Sequence, residues 1–358
     1  MYIVTNRAVR AKKTGFKAFG DKPNPRGPHE LRFVEVSEST DGYDVKVLDD
    51  TLSREEKEQL GVPVSKVAYR SKFVANKLFE KVNQGDRNLL IFVHGFNNNV
   101  RAVVERAFHL QREFNVEVLP FSWPAKGGGA SGALSYKSDK KDARASIGAL
   151  DRVLDLMRER LQNLREAELT KIRDDANRRF SRDAETKDEF LARAFQKDCS
   201  YRVSLLAHSM GNYLFKQLLK SSLYSANELL FDNVVLVAAD TNNKDHKDWI
   251  DTVSFRSRLY VTINEADSAL KLSRMKGGDE QLARLGHFPY ELNANRAVYA
   301  NFTGAQHVGD SHAYFEGDPL ENEAVRRFFT AALNGDVAEG DLDYNVFRNI
   351  YDFPEKFR

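Results

Sequence analysis

Five short apolar runs constrain this chain most: LLIFV at 89–93, VEVLPF at 116–121, RVSLLA at 202–207, NVVLVAA at 233–239 and RLYVTI at 258–263. A weaker sixth, AVYANF, spans 297–302. Each is continuous rather than alternating and far too short to cross a membrane, the pattern of a strand buried on both faces of a parallel sheet. Between them lie segments with helical spacing, such as VRAVVERAFHLQREF at 100–114 and NYLFKQLLKSSLYS at 212–225. Strand and helix in alternation predict an α/β fold, a mostly parallel central sheet flanked by helices. Near the start, YIVTNRAV and ELRFVEVS…YDVKVLDD read as strands joined by a Gly/Pro-rich loop, FGDKPNPRGPHE. They are expected to extend the sheet in antiparallel fashion at one edge. The stretch 65–85 reads as a helix stopped by Gly85.

The stretch 125–198 departs from this rhythm. It opens on AKGGGASGALSYKSDKKD, which reads as a flexible glycine-rich loop. Apolar residues then recur at threes and fours (Ile147, Leu150, Val153, Leu154, Met157, Leu161, Leu164) within a run dense in both charges. A solvated helical hairpin and a cap over an active site both fit this pattern. The expected organisation is a core from 1–124 and 199–335, a charged helical insertion at 125–198 and an aromatic C-terminal tail at 336–358.

Charge and cysteine content exclude several function classes. Lys and Arg number 54 against 52 Asp and Glu, a net charge of +2, so no electrostatic footprint for nucleic acid is expected. Cys199 is the single cysteine, which rules out an intrachain disulfide and a cysteine-based zinc site, and it is expected to be buried and inert. The opening MYIVTNRAVRAKK lacks the apolar stretch and cleavage site of a secretory signal. A cytoplasmic location without stable membrane insertion is the expectation, with signal-less export left open.

The candidate site is centred on LLAHSMG at 205–211. Here a buried strand meets an amphipathic helix at a serine flanked by small residues, Ala207 two before and Gly211 two after. This is a variant of the G-x-S-x-G elbow, which holds a serine on a strained turn with its hydroxyl above the sheet. The earlier strand ends in VHGFNNN, where Gly95 permits a sharp turn after His94. In such an arrangement the oxyanion donors are the backbone N–H groups of Phe96 and Met210. One or more of Asn97, Asn98 and Asn99 is expected to cap the following helix.

A carboxylate and then a histidine must follow a serine nucleophile in this chain order. Asp267 lies just beyond the strand RLYVTI and is the preferred acid; Asp240, after NVVLVAA, is its rival, and Glu265 a weaker one. His312, in a loop before a final helix, is the preferred base, with His307 the rival and His287 a packing or substrate-edge residue. The spacing of His307 and His312 matches no zinc signature, and no metal or cofactor is expected. His208 is expected in a supporting role, and Trp123 either to line an acyl pocket or to sit in the core.

With these residues identified, the chain resembles a bacterial family of α/β hydrolases of unknown function related to serine esterases and lipases. The resemblance rests on VTNRAV, IFVHGFNNNV, PFSWPAKG, LLAHSMGNYL, ADSALKLS and SHAYF and spans roughly residues 1–335. It implies the α/β-hydrolase fold and maps the family's nucleophile to Ser209, its acid to Asp267 and its histidine to His312. The family has glycine before that histidine and APD after the preceding strand, where this chain has Ser311 and Ala-Ala-Asp240. The expected function is a serine hydrolase acting on a small-molecule or lipid ester. The alternatives are a silent scaffold that binds a protein partner through the charged insertion, and a lipase acting at a membrane surface.

Overall fold

The computed structural model describes residues 1–85, 87–126, 132–181, 183–196, 201–221, 229–275 and 282–358. The strands are β1 (Tyr2–Thr5), β2 (Arg7–Val9), β3 (Phe19–Pro23), β4 (Arg32–Ser39), β5 (Gly42–Val47), β6 (Asn88–Val93) and β7 (Val116–Ser122). They continue with β8 (Val203–His208), β9 (Phe231–Val237), β10 (Phe255–Ile263), β11 (Ala297–Asn301), β12 (Asp343–Asn345) and β13 (Ile350–Asp352). The helices are α1 (Arg54–Gln59), α2 (Arg70–Gly85), α3 (Val100–Phe114), α4 (Gly132–Ala145) and α5 (Ile147–Arg179). After them come α6 (Ala184–Gln196), α7 (Met210–Leu219), α8 (Lys247–Ile250), α9 (Ser268–Ser273) and α10 (Glu323–Leu333).

Eleven strands form one sheet in the order β12-β13-β11-β10-β9-β8-β6-β7-β1-β4-β5, and β2 and β3 form a separate pair. The run from β13 to β1 is parallel throughout; β12 at one edge and β4 and β5 at the other are antiparallel. The expected antiparallel edge is present in β4 and β5, but β1 itself joins β7 in parallel. Part of the anticipated Gly/Pro loop is β3, which pairs with β2.

The buried runs serve both faces because successive strand side chains point opposite ways. Leu89, Ile91 and Val93 join a core with Val74, Leu78 and Phe79 of α2, Leu150 and Leu154 of α5 and Leu214 and Leu218 of α7. Leu90 and Phe92 face the opposite core with Leu110 and Phe114 of α3 and Phe328 and Phe329 of α10. No helix among the described residues is long and apolar enough to cross a membrane.

Two segments differ from the sequence reading. Residues expected in a glycine-rich loop form α4 from Gly132, and the first half of α5 is a core helix. Ala149, Leu150, Val153, Leu154, Met157 and Leu161 are all buried in the layer over the sheet, so this half is neither a solvated hairpin nor a cap. The distal half of α5 is charged and pairs with α6 through Phe180 and Phe190. The aromatic tail is not an appendage, because β13 adds to β11 and carries β12 with it. The reason is Phe353, which packs against Phe302, itself in contact with Tyr314, Phe328 and Phe329. Phe302→Ala should therefore lower the unfolding free energy by about 3–5 kcal/mol, read as a fall in the urea midpoint at unchanged slope.

Candidate active site

Five neighbouring strands, β6, β8, β9, β10 and β11, deliver their following loops to one edge of the sheet. The chain turns outward from β6 to β7 and returns on the other side of β6 at β8, making a switch point between β6 and β8. Ligands of open α/β sheets bind in such a crevice, beyond the carboxyl ends of the strands.

Ser209 separates the last residue of β8 from the first of α7 and has φ 55° and ψ −122°. An L-residue avoids this region, and holding one there costs on the order of 1–3 kcal/mol. The conformation is held by backbone bonds: Ser209 N donates to Val237 O at 3.0 Å, and Ser209 O accepts from Asn212 N at 3.0 Å and Asp240 N at 3.2 Å. The buried Asn212 amide adds contacts to Ala207 O and Val237 O at 2.9 and 3.0 Å. Two glycines make room. A β-carbon on Gly95 would lie 2.7 Å from that of Ser209, and one on Gly211 would lie 2.4 Å from Val93 O.

The β6–α3 loop is thus pressed against the serine turn. Phe96 lines the same cavity as Ser209, and Met210 opens α7 directly after it. Of the three asparagines, Asn99 caps α3 by accepting from Ala102 N at 2.9 Å. Asn97 takes a positive φ of 60° and lines the cavity. Asn98 Nδ2 donates to Phe96 O at 2.8 Å. His94 is fully buried and stacks on Trp123 with ring centroids 5.0 Å apart, while Trp123 Nε1 donates to His94 O at 2.8 Å. Trp123 is therefore a core residue behind the loop and lines no part of the Ser209 cavity.

His312 stands in the loop after β11, with Nδ1 2.7 Å from Asp267 Oδ2. Asp267 is wholly buried, and its other oxygen accepts from Leu270 N at 2.9 Å as the N-cap of α9. The loop carrying His312 has no regular structure, but side chains tie it down. Asn264 Nδ2 donates to Gly309 O and Ser311 O, each at 3.1 Å. Tyr314 is buried with its hydroxyl 2.7 Å from Thr262 Oγ1, and Phe315 meets the His208 ring edge-on. Gln306 N and Asn322 Nδ2 both donate to Phe357 O, at 2.8 and 2.9 Å, anchoring the loop to the C-terminal segment. His208 Nε2 lies 3.0 Å from His312 O. A carbonyl only accepts, so Nε2 carries the proton and donates. Burial, then the nearby His312 and Arg106, hold the His208 pKa well below the ordinary imidazole value, so the ring is neutral.

The rivals make other contacts. Asp240 lines the cavity but faces Arg284, with Oδ1 and Nε 3.0 Å apart and both side chains buried, and it accepts from Tyr136 Oη at 2.8 Å. His307 is exposed and lies 3.4 Å from Glu321. Glu265 is exposed, with its backbone N donating to Thr303 Oγ1. His287 donates its backbone N–H to the Arg284 carbonyl at 3.0 Å and, like His307, lines no part of the Ser209 cavity. Cys199 lies outside the described residues, as does the end of the helix read at 212–225.

Ser209 and His312 share a cavity of about 400 Å³. Its walls combine Phe96, Leu270, Leu272 and Ala313 with the polar Asn97, Arg106 and Asp240. Arg106, Tyr136, Arg284, Asn212 and Asn264 were not singled out from sequence. Most of them hold a partner distant along the chain: Arg106 forks onto Glu316, Arg284 bonds Asn242, Tyr136 donates to Asp240, Asn264 to Gly309 O and Asn212 to Val237 O. Arg7 was missed too, although a charge inside the buried strand pattern VTNRAV was a visible signal. It bonds Ser122 Oγ, Ala125 O and Asn98 O at 3.1, 2.9 and 2.7 Å and so braces the loop carrying Phe96. Among the described residues, no group of three or more His, Cys, Asp or Glu is placed to hold a metal ion.

The model of a family described as an alpha/beta hydrolase of unknown function (DUF900) matches residues 71–166 and 165–308. The chain belongs to this family. No curated protein and no solved structure matches it.

The buried imidazoles behind the site make stability depend on pH. Burial, then Arg7, lowers the His94 pKa to about 3. Unfolded, an imidazole takes up its proton below about pH 6.5, whereas folded His94 does so only near the lowered value. The stabilising contribution is therefore complete above about pH 6.5 and declines as pH falls toward about 3, with a slope of up to about 1.4 kcal/mol per pH unit for each such group. His94→Gln should flatten this acid limb, measured as the urea midpoint at about pH 7 and about pH 5.

Proposed function

We propose that this member of the alpha/beta hydrolase family is a serine hydrolase that cleaves a carboxylic ester or related acyl bond through an acyl-enzyme. The observation that carries the reading is Ser209 held at a positive φ in the same cavity as a His312 imidazole whose Nδ1 lies 2.7 Å from buried Asp267.

In this reading Asp267 accepts the Nδ1–H of His312, which leaves Nε2 with its lone pair as the base. His312 takes the Ser209 hydroxyl proton as Oγ attacks the carbonyl carbon, and the carbonyl oxygen becomes an oxyanion. The backbone N–H groups of Phe96 and Met210 stabilise that oxyanion, a contribution of about 3–4 kcal/mol for a donor of this kind. Collapse breaks the bond to the leaving alcohol, which receives the proton from His312. Water then repeats the sequence on the acyl-serine and releases the acid. His208 fixes the backbone at His312, and Asn212 and Gly95 fix the serine turn.

A second reading, action at a lipid surface, draws on apolar side chains by the cavity mouth. Leu272 lines the cavity and is 57% exposed, and Met275, three residues on, is 80% exposed. A rise in rate once a poorly soluble ester passes its solubility limit would favour this version of the same chemistry.

The test is turnover of p-nitrophenyl esters together with labelling by a fluorophosphonate probe. Ser209→Ala should abolish labelling, and Ser209→Ala or His312→Ala should each cost on the order of 10⁵–10⁶ in kcat. Asp267→Asn should cost about 10⁴. A folded wild-type protein that neither labels nor turns over any ester would overturn the reading.

A further inference from the structure

Buried charges are ordinarily paired with an opposite charge. Arg7 is 2% exposed, yet among the described residues no carboxylate lies within 4.0 Å of it. Its protein partners are Ser122 Oγ and the carbonyls of Gly20, Ala125 and Asn98. Those four bonds use one N–H on Nε, two on Nη1 and one on Nη2, and a guanidinium has five. The second N–H of Nη2 is left without an acceptor among the described residues.

A cavity of about 410 Å³, which shares no lining residue with the Ser209 cavity, reaches Arg7. Three further cations line it, Arg10, Lys17 and Arg101, against the single carboxylate of Asp21. The side chains of Arg10 and Lys17 have neither an ion-pair partner nor a hydrogen-bond acceptor among the described residues. Arg101 lies over the Phe16 ring at 4.7 Å, and Phe16 and Phe19 give the cavity an apolar wall. The first turn of α3, at Asn99–Arg101, closes one side with its positive end.

We propose that this cavity binds a phosphate-type oxyanion, either free phosphate or the phosphate group of a small phosphorylated compound. Asp139, Asp21 and Asp142 act on Arg7 only from beyond ion-pair distance; the anion supplies the direct partner and the acceptor for its spare N–H, and Arg10 and Lys17 flank it. The site is distinct from the Ser209 cavity, although Arg7 adjoins the catalytic loop through Asn98 O. Nothing in the proposal depends on ester cleavage, and its test reads binding alone.

The experiment is isothermal titration of the full chain with inorganic phosphate and with phenyl phosphate, in chloride at fixed ionic strength. The expected result is saturable one-to-one binding of at least one probe, weakened about tenfold or more in the double variant Arg10→Gln/Lys17→Gln. Both substituted side chains are exposed, so this variant keeps its fold, checked by an unchanged Tm without phosphate. Tighter binding of phenyl phosphate identifies a phosphorylated small molecule, with Phe16 and Phe19 taking its organic part. Equal affinity identifies free phosphate. Absence of saturable binding for both probes, or binding that the double variant leaves unchanged, overturns the site.

Discussion

The whole site depends on two backbones passing in contact at the carboxyl ends of β6 and β8. Gly95 lies against Ser209, and Gly211 lies against the carbonyls of Val93 and His94. No side chain fits between them, and that is what brings the loop carrying Phe96 beside the serine. The same approach forces Ser209 into a backbone region that costs on the order of 1–3 kcal/mol. The hydrogen bond that Ser209 N donates to Val237 O, and those that its carbonyl accepts from Asn212 N and Asp240 N, offset the strain within the parallel sheet on either side.

Around that contact the structure keeps charge balanced by pairs rather than by solvent. Asp240 with Arg284 and Arg106 with Glu316 join segments far apart in sequence, as does the hydrogen bond between Asp267 and His312. The two pairs brace the walls of the cavity, and the hydrogen bond orients an imidazole. His94 and His208 are both kept neutral by burial, so the interior behind the serine carries no competing positive charge on these rings. Arg7 stands outside this pattern, as a buried cation bonded to carbonyls alone apart from one hydroxyl.

Much of the fold was legible because burial on both faces leaves an unmistakable mark. The five apolar runs are β6 to β10, with boundaries shifted by at most three residues, and the 100–114 helix is α3 without change. The adjacency of Asp267 and His312 could be anticipated from chain order and from loops expected at strand ends. What escaped notice has a common physical cause. Tyr136, Arg284, Arg106 and Asn264 act through partners up to 210 residues away, and no local pattern encodes such a contact. The apolar stripe of α5 was visible in its spacing, but spacing does not say which surface a stripe packs on, and the short strands β12 and β13 lack the length that made the others visible.

The placement of β13 orders events during folding. The loop that holds His312 is tied at Gln306 and Asn322 to Phe357, and Phe302 at its root packs on Phe353. Both partners lie downstream of His312 and are synthesised after it. The serine turn can be complete as soon as β9 has docked, but the imidazole loop gains its final anchors only when residues 350–357 have emerged and paired beside β11. In a growing chain the Ser209 turn therefore has its anchors before the loop carrying His312 has its own, and residues 350–357 act as the latch that fixes that loop.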